Sequence, residues 1–228
     1  MTSSPAMNLC LFDLDHTLLP LDSDHEFGEF LIRQGLADAE DYRRRNDGFY
    51  QQYREGTLVL DDYIAFSTSV WRQMDELAQQ ALQQSFMEQV ILPAIQPQAV
   101  ELVERHRAEG DLIAIVTATN EFVTRPIADA FNVDELIAVR LVRDAGGRVT
   151  GQIDGVPSFR DGKITRVEQW LADQGRHLGQ FERVSFYSDS PNDLPLLERA
   201  TDPVATNPST ELEAVAQARG WRILRLFA

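Results

Sequence analysis

Residues Met7-Asn-Leu-Cys-Leu-Phe-Asp13 form an apolar run without helical periodicity that ends in a carboxylate, and a second carboxylate, Asp15, follows two positions later. Such a run reads as a buried strand. Residues two apart in an extended segment share a face, so Asp13 and Asp15 can address one reacting group. Chemistry is therefore expected at the carboxyl end of this strand. The competing reading is that the acidic pair only caps a turn or a helix.

The chain then changes character. From Asp22 to Val90 it is rich in Gln, Arg, Glu, Leu, Phe and Tyr at helix-compatible spacings, with very few β-branched runs. Helices are expected over Glu26–Gln34, Ala39–Arg54, Val59–Trp71 and Asp75–Val90, separated by Gly35, Gly56 and Thr57. Beyond Pro93 and Pro97 helices alternate with strands. The expected strands are Leu112–Thr117, Leu136–Val142, Val149–Ile153, Arg183–Ser188, Pro203–Ala205 and Trp221–Leu226, and Asp144–Arg148 reads as a hairpin turn. Helices are expected near Ala99–Glu109, Phe122–Phe131, Ile164–Asp173, Leu194–Arg199 and Thr210–Arg219. The alternation implies an α/β fold, a parallel sheet covered on both faces, with residues 1–20 and 91–228 forming the core and 21–90 a helical insert. Ligands in such sheets gather at the carboxyl ends of the strands.

With 228 residues, 43% hydrophobic and 25% charged, one sizeable core plus a smaller unit can be buried. The most apolar run, Leu112–Ala118, is far shorter than the roughly 20 residues of a membrane helix, and Met1–Met7 has no targeting pattern. A soluble, cytoplasmic protein without a membrane partner is expected. The net charge of −15 repels a phosphate backbone and argues against nucleic acid. The single Cys10 lies in the apolar run and reads as a buried structural thiol.

Three further groups carry chemistry. Thr117 ends a strand in Ile-Val-Thr-Ala-Thr-Asn120 and can donate to phosphoryl oxygens together with following backbone N–H groups, or can simply cap a helix. Lys163, in Asp161-Gly-Lys163 at a helix start, can neutralise phosphate and carboxylates alike; on its own it would be solvent-facing. Ser188-Asp189-Ser-Pro-Asn192-Asp193 adds hard oxygen donors at another strand end, of the kind that suits Mg²⁺.

In order and in strand-end placement, Asp13-Leu-Asp15-His-Thr17, Thr117, Lys163 and Asp189 through Asp193 resemble the four motifs of the haloacid dehalogenase superfamily. The resemblance spans essentially the whole chain. It implies a Rossmann-like parallel-sheet core, with 21–90 as a helical cap like that of the phosphoserine phosphatase-like branch, subfamily IB. It also implies a Mg²⁺-dependent phosphatase for a small phosphorylated metabolite; either a monomer or a homodimer is expected. Asp13 would be nucleophile and metal ligand, and Asp15 the acid/base, with its carbonyl on the metal. Thr17 would support the loop. Thr117 and Lys163, with Ala118 and Thr119, would hold the phosphoryl group. Asp189 and Asp193 would bind Mg²⁺, and Asn192 would complete the phosphate environment. An aspartate at position 15 favours phosphatase over phosphonatase or dehalogenase chemistry. Thr117-Ala-Thr-Asn and Asp189-Ser-Pro-Asn-Asp193 depart from the glycine-rich versions of phosphoserine phosphatases and resemble a bacterial branch with members assigned as histidinol-phosphate phosphatases. A phosphotransferase using the same aspartate and a non-catalytic phospholigand-binding protein are the alternative readings.

For substrate recognition, Asp22, Asp24 and Glu26 can pair with an amine or merely cap the next helix. At most one of Arg43, Arg44 and Arg45 is expected to meet a substrate carboxylate. Phe49, Tyr50, Tyr53 and Phe66 read as packing within the insert, His16 as a neighbour of the catalytic loop, and His25, His106 and His177 as surface or packing residues.

Overall fold

The computed structural model describes residues 7–227; Met1–Ala6, where no targeting pattern was read, lie outside the described residues. Six parallel strands form one sheet in the order β3 (Glu135–Val139), β2 (Leu112–Asn120), β1 (Leu9–Phe12), β6 (Val184–Ser188), β7 (Asp202–Thr206) and β8 (Arg222–Leu224). Between β1 and β2 run α1 (Ser23–Arg33), α2 (Ala39–Glu55), α3 (Leu60–Ser67) and α4 (Glu76–Phe86), which continues through a π-helical stretch into α5 (Leu92–Ala94), followed by α6 (Pro97–Glu109). The remaining helices are α7 (Glu121–Ala130), α8 (Asp161–Asp173), α9 (Leu194–Leu197) and α10 (Thr210–Arg219).

The continuity of the first apolar run now has a cause. All four residues of β1 are buried; Leu9 and Leu11 pack with Val167, Leu171, Leu197 and Leu212 on one face, while Cys10 and Phe12 face Leu102, Phe122 and Tyr187 on the other. A strand covered on both sides has no polar alternation to show. Because β1 is flanked by β2 and β6, Asp13 and Asp189 just after their strands and Thr117 near the end of β2 come to one edge of the sheet.

Two expected elements are divided. The helix expected over Val59–Trp71 ends at Ser67, where Thr68 Oγ1 donates to the Ile64 carbonyl (2.7 Å) and Ser69 Oγ to that of Phe66 (2.6 Å). These hydroxyls compete with the helix ladder for its acceptors, and Trp71–Gln73 resumes as one 3₁₀ turn. The strand expected over Leu136–Val142 leaves the sheet after Val139, and β4 (Leu141–Arg143) pairs instead with β5 (Val149–Ile153) in a separate antiparallel hairpin. The Asp144 carboxylate closes that hairpin by accepting from the N–H groups of Gly146 and Arg148. β2 outlasts its expected end at Thr117, with an irregular register after Val116 that re-aims Thr117–Thr119. His106 is buried, its two nitrogens bonded to Asp111 (2.7 Å) and to the Tyr187 hydroxyl (2.8 Å). Among the described residues no helix is long and apolar enough to cross a membrane.

The segment between β1 and β2 is fixed to the sheet by aromatic packing. Trp71, fully buried, stacks on Phe122 of α7 at 3.8 Å and 7°, and Phe27 of α1 meets the same ring edge-on. Trp71→Ala leaves a cavity at that joint and is expected to cost roughly 3–5 kcal/mol in urea unfolding; a loss under about 1 kcal/mol would show that the stack does not anchor the segment.

Candidate active site

Asp13 follows β1 directly and keeps its backbone in the sheet, donating its N–H to the Tyr187 carbonyl at 2.9 Å. Its carboxylate is buried, and Oδ1 accepts from Lys163 Nζ at 2.8 Å. The same ammonium donates to Asp193 Oδ2 at 2.7 Å, and Ser188 Oγ donates to that oxygen at 2.7 Å. Lys163, 1% exposed, lies in the first turn of α8, which starts three residues before its expected beginning at Ile164. Gly162 makes the approach possible, since a Cβ there would lie 2.1 Å from the Pro157 carbonyl oxygen.

The loop after β1 is tightly wound. His16 sits at φ 54°, in the left-handed region, and Asn207 Nδ2 donates to its carbonyl at 3.0 Å. That turn brings Thr17 Oγ1 to 3.4 Å from both Asp13 Oδ2 and Asp189 Oδ1, so the Asp13 and Asp189 carboxylates converge on one hydroxyl. Asp15 is half-buried and held at both oxygens, by the Ser23 N–H (2.7 Å) and by Thr119 Oγ1 (2.9 Å). Thr117 Oγ1 accepts from the Thr119 N–H at 3.1 Å while its side chain lines the same cavity as Asp13, Asp15 and Ala118.

Charge in this space is lopsided. Burial pushes Asp13 up to about 7, against the Lys163 charge and with the Asp193 and Asp15 charges behind it. Burial and the Asp22 charge push Asp15 up to about 6 despite its hydrogen bonds. Asp189 rises well above the usual range through burial and the charges of Asp13 and Asp193. Burial disfavours the Lys163 ammonium, but the two carboxylates it touches outweigh that and hold it charged. Asp13, Asp189 and Asp193 thus offer hard oxygen donors, and only one ammonium faces them; this donor set fits Mg²⁺.

A family model for haloacid dehalogenase-like hydrolases matches residues 10–198. The chain belongs to that family. This haloacid dehalogenase-like hydrolase is 40% identical over 217 residues to a histidinol-phosphatase of Neisseria meningitidis, covering 95% of the chain and 98% of that protein. It also resembles a crystal structure of a protein of unknown function from Bordetella pertussis Tohama I, with a TM-score of 0.92 at 50% identity over 97% of the chain and 100% of the other. A substrate-bound phosphoserine phosphatase superposes with a TM-score of 0.69 at 16% identity, covering 97% and 94%, which reports shared fold alone.

Within the hydrolase, two expected phosphate-binding groups are engaged elsewhere. The Thr119 hydroxyl is on Asp15, and Asn192 Nδ2 donates to the Tyr53 carbonyl of α2 at 3.1 Å. Three of the four arginines of α2 are drawn away from the cavity: Arg43 pairs with Glu29 at 3.0 Å, Arg44 with Asp41, and Arg45 covers the Phe66 ring, while Arg54 lines an adjoining pocket with His16, Tyr50, Tyr53 and Asp189. Asp22 caps α1, accepting from the N–H groups of Asp24 and His25, and Glu26 faces Arg33 at 3.9 Å.

Phe49, Tyr50 and Tyr53, expected to pack inside the insert, also line the cavity, with Asn46, Leu58, Leu60, Tyr63 and His25; Phe49 packs against Tyr63 and Phe66 as expected, and Phe66 packs in the core. The positions 46, 49, 50 and 53 share one helical face, the one signal that could have pointed to a common wall. Ser188 and its bond to Asp193 were also missed.

Removing the central cation tests the electrostatics. Lys163→Met strands Asp13 and Asp193 and is expected to cost roughly 3–5 kcal/mol of stability near neutral pH. The stranded Asp13 carboxyl, already raised to about 7 by burial, would lose the charge that lowers it, so the deficit should shrink as pH falls from about 8 towards about 5. A small, pH-independent loss in urea titrations would contradict this reading.

Proposed function

We propose that the protein is a phosphomonoesterase for histidinol phosphate that works through transient phosphorylation of Asp13. The observation that carries the chemistry is the contact of a buried, strand-end Asp13 with Lys163, next to a second carboxyl raised to about 6. In the first step the Asp13 carboxylate attacks phosphorus and the substrate's ester oxygen leaves, taking a proton from Asp15. In the second, water attacks the phosphorus of the aspartyl phosphate, gives its proton to Asp15 and frees Asp13. A group titrating near the working pH serves both transfers. Ser23 and Thr119 fix the Asp15 carboxyl for this task. Lys163, with Thr117 and the backbone around Ala118, holds the phosphoryl group. Asp13, Asp189, Asp193 and the Asp15 carbonyl would hold Mg²⁺, which when bound neutralises charge on the phosphoryl oxygens. Residues 21–90 act as a cap over the core built by 1–20 and 91–228.

The cavity supports the choice of substrate. Asp15, Asp22 and Asp24 line it, and no ion pair among the described residues involves any of them. Among the described residues His25 is the only basic one on its walls, and its Nε2 is already 2.8 Å from Asp47. Such walls accept a substrate that is cationic beyond its phosphate and offer no counter-charge to a carboxylate. Histidinol phosphate carries an amine and an imidazole and no carboxylate, whereas phosphoserine has one. The likeness to the Neisseria histidinol-phosphatase points the same way.

Phosphate release from a panel of monoesters tests the assignment. Histidinol phosphate should exceed phosphoserine in kcat/KM by about a hundredfold or more, the size of a charge mismatch in a buried site. Asp13→Asn should abolish turnover, with a loss of at least about a thousandfold, and excess chelator should suppress it. Full activity of Asp13→Asn, or phosphoserine as the better substrate, would overturn the proposal.

A further inference from the structure

The wall of the cavity formed by α1 and α2 carries two acceptors that no cationic side chain among the described residues meets. The first is the Asp24 carboxylate. Asp24 is only 7% exposed, it lines the cavity, and no ion pair among the described residues includes it. Its neighbour Asp22 is committed to the helix, since Asp22 Oδ1 accepts from two backbone N–H groups at 3.0 and 2.8 Å. Asp24 has no such duty: it lies past the cap, inside the first turn of α1. Burial, reinforced by the Asp22 and Asp15 charges, pushes its carboxyl well up, and the nearby Tyr63 hydroxyl only partly offsets this.

The second acceptor is Asn46 Oδ1. Asn46 is 2% exposed on α2, and its Nδ2 donates to the His25 carbonyl at 3.0 Å. A carbonyl partner requires the NH₂ end of the amide, so that bond fixes which end is which. Oδ1 is left without a donor among the described residues, although Asn46 is part of the cavity wall. The two helices approach closely to place it: a Cβ on Gly28 would come within 2.6 Å of the Asn46 amide.

We propose that Asp24 and Asn46 Oδ1 form an ammonium subsite that binds the amine of the substrate and makes the enzyme selective for amino-bearing phosphomonoesters. This rests on the phosphatase reading above. A primary ammonium is compact, carries one positive charge and has three N–H donors and no acceptor, the complement of a carboxylate beside an amide oxygen. The aromatic rings of Phe49, Tyr50 and Tyr53 on the adjoining face of α2 are left for the uncharged remainder of the alcohol.

The test is the ratio of kcat/KM for two pairs of esters that differ only in the amine. One pair is histidinol phosphate and the same ester with hydrogen in place of the amino group; the other is phosphoethanolamine and ethyl phosphate. Taking a ratio within each variant removes any general loss of turnover, and thermal melting confirms folding. In the wild type the amine should raise kcat/KM by about thirtyfold or more, as for hydrogen bonds to a charged group. Asp24→Asn should lower that preference at least about tenfold, chiefly through KM; Asp24→Glu should recover part of it, and Asn46→Ser, an independent variant, should lower it more modestly. Amine preference in both pairs that collapses in Asp24→Asn, with histidinol phosphate no better than other amines, would keep the subsite and discard the proposed substrate. A wild type indifferent to the amine, or an Asp24→Asn variant that keeps the full preference, would overturn the subsite.

Discussion

The ammonium of Lys163 is the interaction on which the rest of the site depends. It reaches Asp13 at the end of β1 and Asp193 after β6, two carboxyl groups that the chain separates by most of its length and the sheet order makes neighbours. Without it, ionised carboxylates at 5% and 1% exposure would face a desolvation cost that no neighbouring cation offsets. The contact needs α8 to begin against the sheet edge, which the missing Cβ of Gly162 permits. Ser188 and Thr17 then fix the carboxylate oxygens. Backbone, glycine and hydroxyls converge on one bridge.

The acid-rich surface and the acid-lined cavity have different meanings. A number of surface carboxylates are matched by arginines, as in the pairs of Arg199 with Glu168 and of Arg183 with Glu109. Of the cavity carboxylates, Asp15, Asp22 and Asp24 enter no ion pair among the described residues, and Arg43, Arg44 and Arg45 of α2 turn instead to Glu29, Asp41 and Phe66. An incoming phosphate would be repelled by such walls without Lys163 and a divalent cation, so the same arrangement that excludes anions at large admits one whose own cationic groups travel with it.

The parallel sheet and the strand-end placement of Asp13 were legible because both follow from short-range rules. An uninterrupted apolar strand reports burial on two faces, and acids two apart report a shared face. The hairpin at Asp144 was legible from its glycines. What escaped depended on tertiary choice. Asn46, Phe49, Tyr50 and Tyr53 have the spacing of any buried helical face, and nothing in the sequence distinguishes a face against a core from one against a cavity. Asn192 was expected at the phosphate because of its motif, but its amide bonds the Tyr53 carbonyl, a contact between segments some 140 positions apart. The helix break at Thr68 turned on hydroxyls that cap as readily as they continue.

The central claim is that Asp13 itself is phosphorylated during turnover. Acid quenching of the enzyme within its first turnovers on histidinol phosphate, followed by peptide mass spectrometry, reads this directly. The account predicts a phosphoryl group on the peptide from the end of β1, located at Asp13, that disappears as substrate is exhausted. Turnover with no phosphorylated peptide at any time, or with the group on another residue, would contradict it.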